Sequence, residues 1–211
     1  MKRFIILSVL FLYTQLNFAQ EATPKSRDLT IKLPVSSFFG DIFAESSGFG
    51  IGIEKRLKPS LSISQEVSYI FHVKNNSILS EDLDNINGLK LTTEVRKYLN
   101  KNEQPESGWF INTEMKNIFT KSHKQAWTTD NISVENEITR YRGLLLANFG
   151  FLVYWDKNKK GNVTLELMGG GGLAYVNTSS SNDLRSKTSY SSEKGFYPWF
   201  NFDFKIGYIL K

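Results

Sequence analysis

From Phe200 to Lys211 the chain reads FNFDFKIGYILK, and apolar and polar residues alternate almost without interruption. Phe200, Phe202, Phe204, Ile206, Tyr208 and Leu210 fall on one face of an extended strand, while Asn201, Asp203, Lys205 and Gly207 fall on the other. A period of two marks a β-strand, because successive side chains leave opposite faces of the sheet. A soluble sandwich usually buries smaller β-branched residues and turns its charges to water. A face rich in Phe, backed by Asn, Asp and Lys, fits the inverted pattern of a membrane barrel, apolar outside and polar inside.

The same pattern recurs upstream. Val163 to Val176 sets Val163, Leu165, Leu167, Leu173 and Tyr175 against Thr164, Glu166 and Met168. Tyr141 to Trp155 sets Leu145, Ala147, Phe149, Phe151, Val153 and Trp155 against Asn148 and Gly150, with Leu144, Leu146 and Leu152 blurring the alternation. Gly108 to Thr120 and Gly88 to Leu99 alternate likewise, as do Ser60 to Phe71, Gly48 to Leu57 and Asp28 to Ser36. Pro34 is awkward inside a ladder, so the first strand is expected to be short or bulged. The count is eight, an even number, each near the length that crosses a membrane with tilt. The fold expected is therefore all-β: an eight-stranded antiparallel up-and-down transmembrane β-barrel over residues 28–211.

The connections alternate in length. Those around Pro59, Pro105 and Lys159 are short, whereas Phe38–Ser47, His72–Asn87, Lys121–Arg140 and Asn177–Pro198 are longer. Short turns on one side and long loops on the other suit an outer-membrane barrel, with the turns periplasmic and the loops outside. Tyr69, Phe71, Phe119, Tyr175 and Trp199 are expected at the loop ends of their strands, and Trp109, Trp155 and Tyr208 at the turn ends. Two such rings of amphipathic aromatics would mark the two membrane interfaces.

The first residues fit export. Lys2 and Arg3 precede an apolar stretch, Phe4 to Leu16, that is short for a membrane span, so residues 1–19 are expected to be a signal peptide and 20–27 a short N-terminal segment. Cleavage after Ala19 would remove two bases and no acids, lowering the formal charge from +5 to +3. The chain has no cysteine, which excludes a lipoprotein anchor, a disulfide scaffold and a thiolate metal site. Its basic residues form no Lys/Arg cluster on a helix, so no nucleic-acid partner is expected.

In its patterned segments the chain resembles a family of small outer-membrane β-barrels common in the Bacteroidota, a domain of unknown function with an OmpA/OmpX-like eight-stranded barrel. The likeness rests on GFGIGIEKRLKPSLSISQEVSYIF (Gly48–Phe71), GLKLTTEVRKYL (Gly88–Leu99) and FDFKIGYIL (Phe202–Leu210). Within them, Glu54/Arg56 before the Pro-containing turn and Glu94/Arg96/Tyr98 match the family pattern. The resemblance implies fold and cell outer-membrane location, and brings no established activity.

The candidate site is the inward charged face: Glu54, Arg56, Glu66, Lys90, Glu94, Arg96, Glu114, Lys116, Glu166, Asp203 and Lys205. Side chains fill a barrel of this size, so these charges are expected to pair inside it. They form either a structural network or a gated ion path, and the sequence leaves both readings open. Gly169–Gly172 lacks the Lys-Ser/Thr and helix of a phosphate loop, and reads as strand glycines that permit bending and close packing. His72 and His123 belong to no spaced ligand cluster, so no metal or other cofactor is expected. A lipid-modifying enzyme such as a lipid A deacylase would need a Ser–His pair with an acid, and the adjacent Ser122 and His123 would diverge if extended. Ser179–Gly195 is Ser-rich and reads as flexible loop, while Trp127 is expected on the barrel rim or as a partner's anchor.

The function expected is that of an outer-membrane barrel with a filled polar lumen and a structural or surface-interaction role. No catalytic residue is expected. Its partners would be outer-membrane lipid and lipopolysaccharide, with a surface or outer-membrane protein reached through the long loops. Alternatives are a narrow channel for ions or small solutes, the lipid-modifying enzyme, and a soluble lipocalin-like barrel with its Phe-rich face turned inward.

Overall fold

The computed structural model describes residues 29–39, 46–73, 84–99, 107–127, 133–155, 162–180 and 194–210. Eight strands follow one another: β1 (Leu29–Pro34), β2 (Ser46–Lys58), β3 (Leu61–Val73), β4 (Asp84–Tyr98), β5 (Gly108–Trp127), β6 (Ser133–Tyr154), β7 (Val163–Ser180) and β8 (Lys194–Ile209). One helical turn, α1 (Ser36–Phe39), follows β1. Each strand is antiparallel to the next, and β1 also pairs with β8, closing an up-and-down barrel. Closure leaves no long free sheet edge over most of the ring.

Burial follows the two-residue period that the sequence shows. Along β8, Asn201, Asp203, Lys205, Gly207 and Ile209 are buried, while Phe202, Ile206 and Tyr208 are exposed. The exterior carries large apolar side chains: Leu145 and Leu173 are each 60 % exposed and Phe200 is 66 % exposed. The interior holds charge, with Arg96 and Lys205 at 1 % and Glu114 at 0 % exposure. The Phe-rich face therefore points outward, which overturns the inward-facing lipocalin-like alternative.

Outward aromatics form a chain across β5 to β8. Phe119 meets Tyr141 at 4.9 Å between ring centroids, Tyr141 meets Tyr175 at 6.4 Å, and Tyr175 meets Phe196 at 5.2 Å. Near the opposite end Trp109 stacks on Phe149 at 4.8 Å and touches Phe151 at 4.7 Å. Trp199 does not join the upper ring. It shares the parity of Asn201 and Asp203, turns inward, and packs on a buried apolar cluster.

The strand ends differ from the expected ones. β1 stops at Pro34 rather than Ser36, because proline supplies no N–H to continue the ladder. β5 to β7 run well past the aromatic ring and β8 begins two residues beyond it: Lys121–Trp127, Ser133–Arg140, Asn177–Ser180 and Lys194–Pro198 are strand, not loop. The β5–β6 ladder is unbroken from Gly108↔Leu152 to Trp127↔Ser133, so backbone pairing continues where the apolar outer face ends. His123 and Trp127 thus lie on a strand. Residues 1–28, the expected signal peptide and N-terminal segment among them, lie outside the described residues, as do 40–45, 74–83, 100–106, 128–132, 156–161, 181–193 and Lys211.

The four glycines of β7 remain in register with both neighbours. Side chains on Gly170 and Gly172 would collide with β6: a Cβ there would lie 2.1 Å from the Ala147 carbonyl oxygen and 2.0 Å from that of Leu145. The run lets two strands approach closely.

Candidate functional site

The interior is layered, not polar throughout. Nearest the turns lies an apolar layer of Tyr98, Phe110, Leu152 and Met168, with Tyr154 against it. Toward the loops lies a second, made of Ile70, Ile118, Leu144, Leu146 and Ala174, with Trp199 packed on it. The leucines that blur the alternation of β6 are these inward-facing residues. Between the layers sit most of the charges, while Arg142 lies on the loop side of the second layer with its Cζ 5.8 Å from the Trp199 ring centroid.

Arg96 on β4 is the hub of the lower half. Its Nη1 donates to Glu166 Oε2 at 2.8 Å and its Nη2 to Glu94 Oε2 at 2.8 Å, while Glu54 lies 3.5 Å away. The guanidinium also rests on the Phe110 ring, its Cζ 4.0 Å from the centroid. Lys32 on β1 pairs with Glu54 and with Glu166, the latter at 2.8 Å. The Tyr98 hydroxyl donates to Glu54 at 2.6 Å.

Lys205 on β8 is the hub of the upper half. It pairs with Glu94, with Glu66 at 3.2 Å and with Asp203 at 3.5 Å. Glu94 therefore touches both hubs. Lys90 pairs with Glu66 at 3.5 Å and donates to the Ser37 hydroxyl at 2.9 Å, and the Ser36 hydroxyl donates to Asp203, so α1 is tied to the network at two points. Glu114 and Lys116 pair at 3.3 Å. Around them Asn148 and Asn201 donate to Glu114 at 2.9 and 3.1 Å, and Lys116 donates to the Asn201 oxygen at 2.8 Å.

Ten of the eleven residues singled out in the sequence are buried in the bore. Arg56 is not. It sits at the turn end, donating to the Pro59 carbonyl at 3.4 Å, with its Cζ 4.4 Å from the Tyr98 ring. Two buried bases stand outside that set, Lys32 and Arg142: the alternation of Asp28 to Ser36 sets Lys32 on the polar face, whereas nothing in the pattern places Arg142. Both carry the right parity, Lys32 between Ile31 and Leu33, and Arg142 two residues before Leu144. With them the buried charges balance among the described residues: Glu54, Glu66, Glu94, Glu114, Glu166 and Asp203 against Lys32, Lys90, Arg96, Lys116, Arg142 and Lys205. A charge removed from water without a partner costs several kcal/mol, which explains why each hub is met by more than one opposite charge.

Ser122 is buried and faces the bore, while His123 faces out beside Glu137, with Nε2 3.8 Å from a carboxylate oxygen. The two side chains lie on opposite faces of β5 and form no hydrolytic pair. Comparison of the chain with protein-family profiles, with curated proteins and with solved structures found no match.

Proposed function

We propose that the chain is a cell outer-membrane β-barrel whose bore is a structural charge network and whose role is contact at the cell surface. The observation that carries this reading is the inversion of its two faces: among the described residues, large apolar side chains stand exposed around the outside while six acids and six bases are buried within. Water is a poor solvent for such an exterior, and a bilayer a good one. The dimensions agree. The ten residue-to-residue steps from Trp109 to Phe119 span about 33 Å along β5, which at the usual tilt gives a height of about 25 Å, that of a lipid-facing band. The likeness of Gly48–Phe71 and Gly88–Leu99 to small outer-membrane barrels points the same way.

Surface contact is favoured by the hairpin beyond the upper aromatic ring. There β5 and β6 continue as a paired ribbon carrying Lys121, His123 and Glu137, with Lys121 and Glu137 bridged at 2.8 Å. A hydrogen-bonded ribbon standing clear of the lipid band presents a preorganised surface to a protein or to lipopolysaccharide. Density-gradient separation of cell envelopes tests the location. The chain is expected in the outer-membrane fraction, and recovery in the soluble periplasm would overturn the reading.

A second reading, a narrow conducting path, is favoured by one observation. The Thr92 and Thr164 hydroxyls and the Asn112 amide oxygen are buried and lack a protein hydrogen-bond partner, and such groups are normally satisfied by water. Conductance across planar bilayers distinguishes the two. A structural network predicts no open state, and steps abolished by replacing Lys205 would favour the path.

A further inference from the structure

One polar pair interrupts the apolar outer face. Gln65 on β3 and Thr93 on β4 stand opposite each other in the ladder and carry the outward parity of the exposed Val67 and Val95. The Gln65 amide nitrogen Nε2 donates to Thr93 Oγ1 at 2.9 Å, and the Thr93 hydroxyl donates back to Gln65 Oε1 at 3.2 Å. A primary amide has two N–H donors and two carbonyl lone pairs. One of each therefore has no partner among the described residues.

The depth of this pair makes the shortfall costly. Leu61, Lys97 and Ile111 form one ladder row toward the turns, and Tyr69, Leu89 and Phe119 form another at the loop-side aromatic ring. Gln65 lies between Leu61 and Tyr69, about 13 Å along the strand from each, and so sits near the middle of the proposed lipid-facing band. Hydrocarbon offers an amide no hydrogen bond, so its free valences must be met by protein. Asn117, outward on β5 and nearer the loop-side ring, is met in this way by the Tyr141 hydroxyl at 2.9 Å.

The surface around Gln65 suits a close neighbour. Its outward residues are Ile63, Val67, Leu91 and Val95, none of them aromatic, whereas Trp109, Phe149, Phe200 and Phe202 stand out from β5, β6 and β8. Copies inserted in the same direction meet only at equal depth. An amide is its own complement, donor and acceptor at once, and a two-fold axis along the membrane normal sets one Gln65 against the other. Between surfaces already in lipid, packing and hydrogen bonds drive association, because apolar burial gains nothing there.

We propose that the β3–β4 face is the interface between two copies of this chain in the membrane, closed at its centre by reciprocal Gln65 amide hydrogen bonds. This rests on the outer-membrane reading.

The chain has no cysteine, so Lys58→Cys, at the exposed turn end of β2 beside this face, gives a unique labelling site. Protein carrying donor or acceptor dye is folded into phosphatidylcholine vesicles, and energy transfer is followed as added lipid dilutes it. Transfer that saturates at high protein-to-lipid ratio and is competed away by unlabelled parent is expected. Gln65→Leu removes the amide at similar bulk and should weaken association about tenfold, whereas Thr113→Val, outward on β5, should leave it unchanged. Association of Gln65→Leu equal to that of the parent overturns the interface. So does a folded parent that stays monomeric, the face then belonging to a different membrane protein. Should Gln65→Leu fail to fold, Val67→Trp keeps the amide but obstructs the face, and unchanged association in that variant overturns the interface by itself. Folding is checked separately by faster migration of the unheated protein on SDS gels. Failure of the parent to enter vesicles counts against the membrane reading, whereas folded barrels indifferent to residue 65 count against the interface alone.

Discussion

Arg96 has three carboxylates and an aromatic ring around one guanidinium, because a single buried cation must be neutralised wherever its protons point. Replacing it with Met leaves Glu54, Glu94 and Glu166 facing one another, with Lys32 and Lys205 the remaining bases bonded to them. Breaking a buried pair from one side costs about 3–5 kcal/mol. Urea titration of the vesicle-folded Arg96→Met variant is expected to show a loss of that order, and a loss under about 1 kcal/mol would mean that the pairs are solvated. The two faces of β8 give a sharper contrast. Phe204→Arg aims a cation at lipid and should cost about 2–4 kcal/mol. Lys205→Gln keeps a hydrogen-bonding group in the bore but leaves Glu94 and Glu66 without their shared cation, so its cost reports on the network. Equal stability of Phe204→Arg and the parent would show that residue 204 does not face lipid.

The lengths of the strands reach beyond what their pattern advertises. Apolar alternation marks the stretch of wall whose outer face is apolar, so it identifies β1 to β8 within that stretch and falls silent where β5 enters Lys121–Trp127 and β6 leaves Ser133–Arg140. Backbone pairing does not fall silent there, because it depends on register and not on which side chains face out. The charged face was legible for the same reason: ten inward charges carry the parity of their strands. Lys32 has that parity too, on the polar face of Asp28–Ser36, whereas Arg142 is concealed because the run Leu144–Leu146 hides which leucine turns in. Trp199 shows how residue type misleads, since aromatic character suggests a membrane belt while its parity with Asn201 sends it inward. The short turn α1 has no signal in the alternating pattern, since four residues carry no period to read. Protease added to intact cells is expected to cut between β7 and β8, within 181–193, and to spare the 156–161 connection between β6 and β7. Cleavage at Lys157–Lys160 on sealed cells would reverse the proposed orientation.

At the scale of the whole molecule, the outside and inside of the barrel have exchanged the solvents that a soluble protein would give them. Among the described residues six buried acids face six buried bases, so ion pairing holds the interior, and on the proposed reading lipid contact holds the exterior. Such a molecule has little to gain from folding in water, where its Phe, Leu and Trp exterior would stay exposed. The most direct measurement unfolds the purified chain in urea, dilutes it with and without lipid vesicles, and compares heated and unheated samples on SDS gels. With vesicles, a faster-migrating unheated band is expected that reverts on boiling; without them, no such band. A chain that folds equally well in plain buffer, or shows no heat-dependent shift after vesicle addition, would contradict the membrane barrel on which the rest depends.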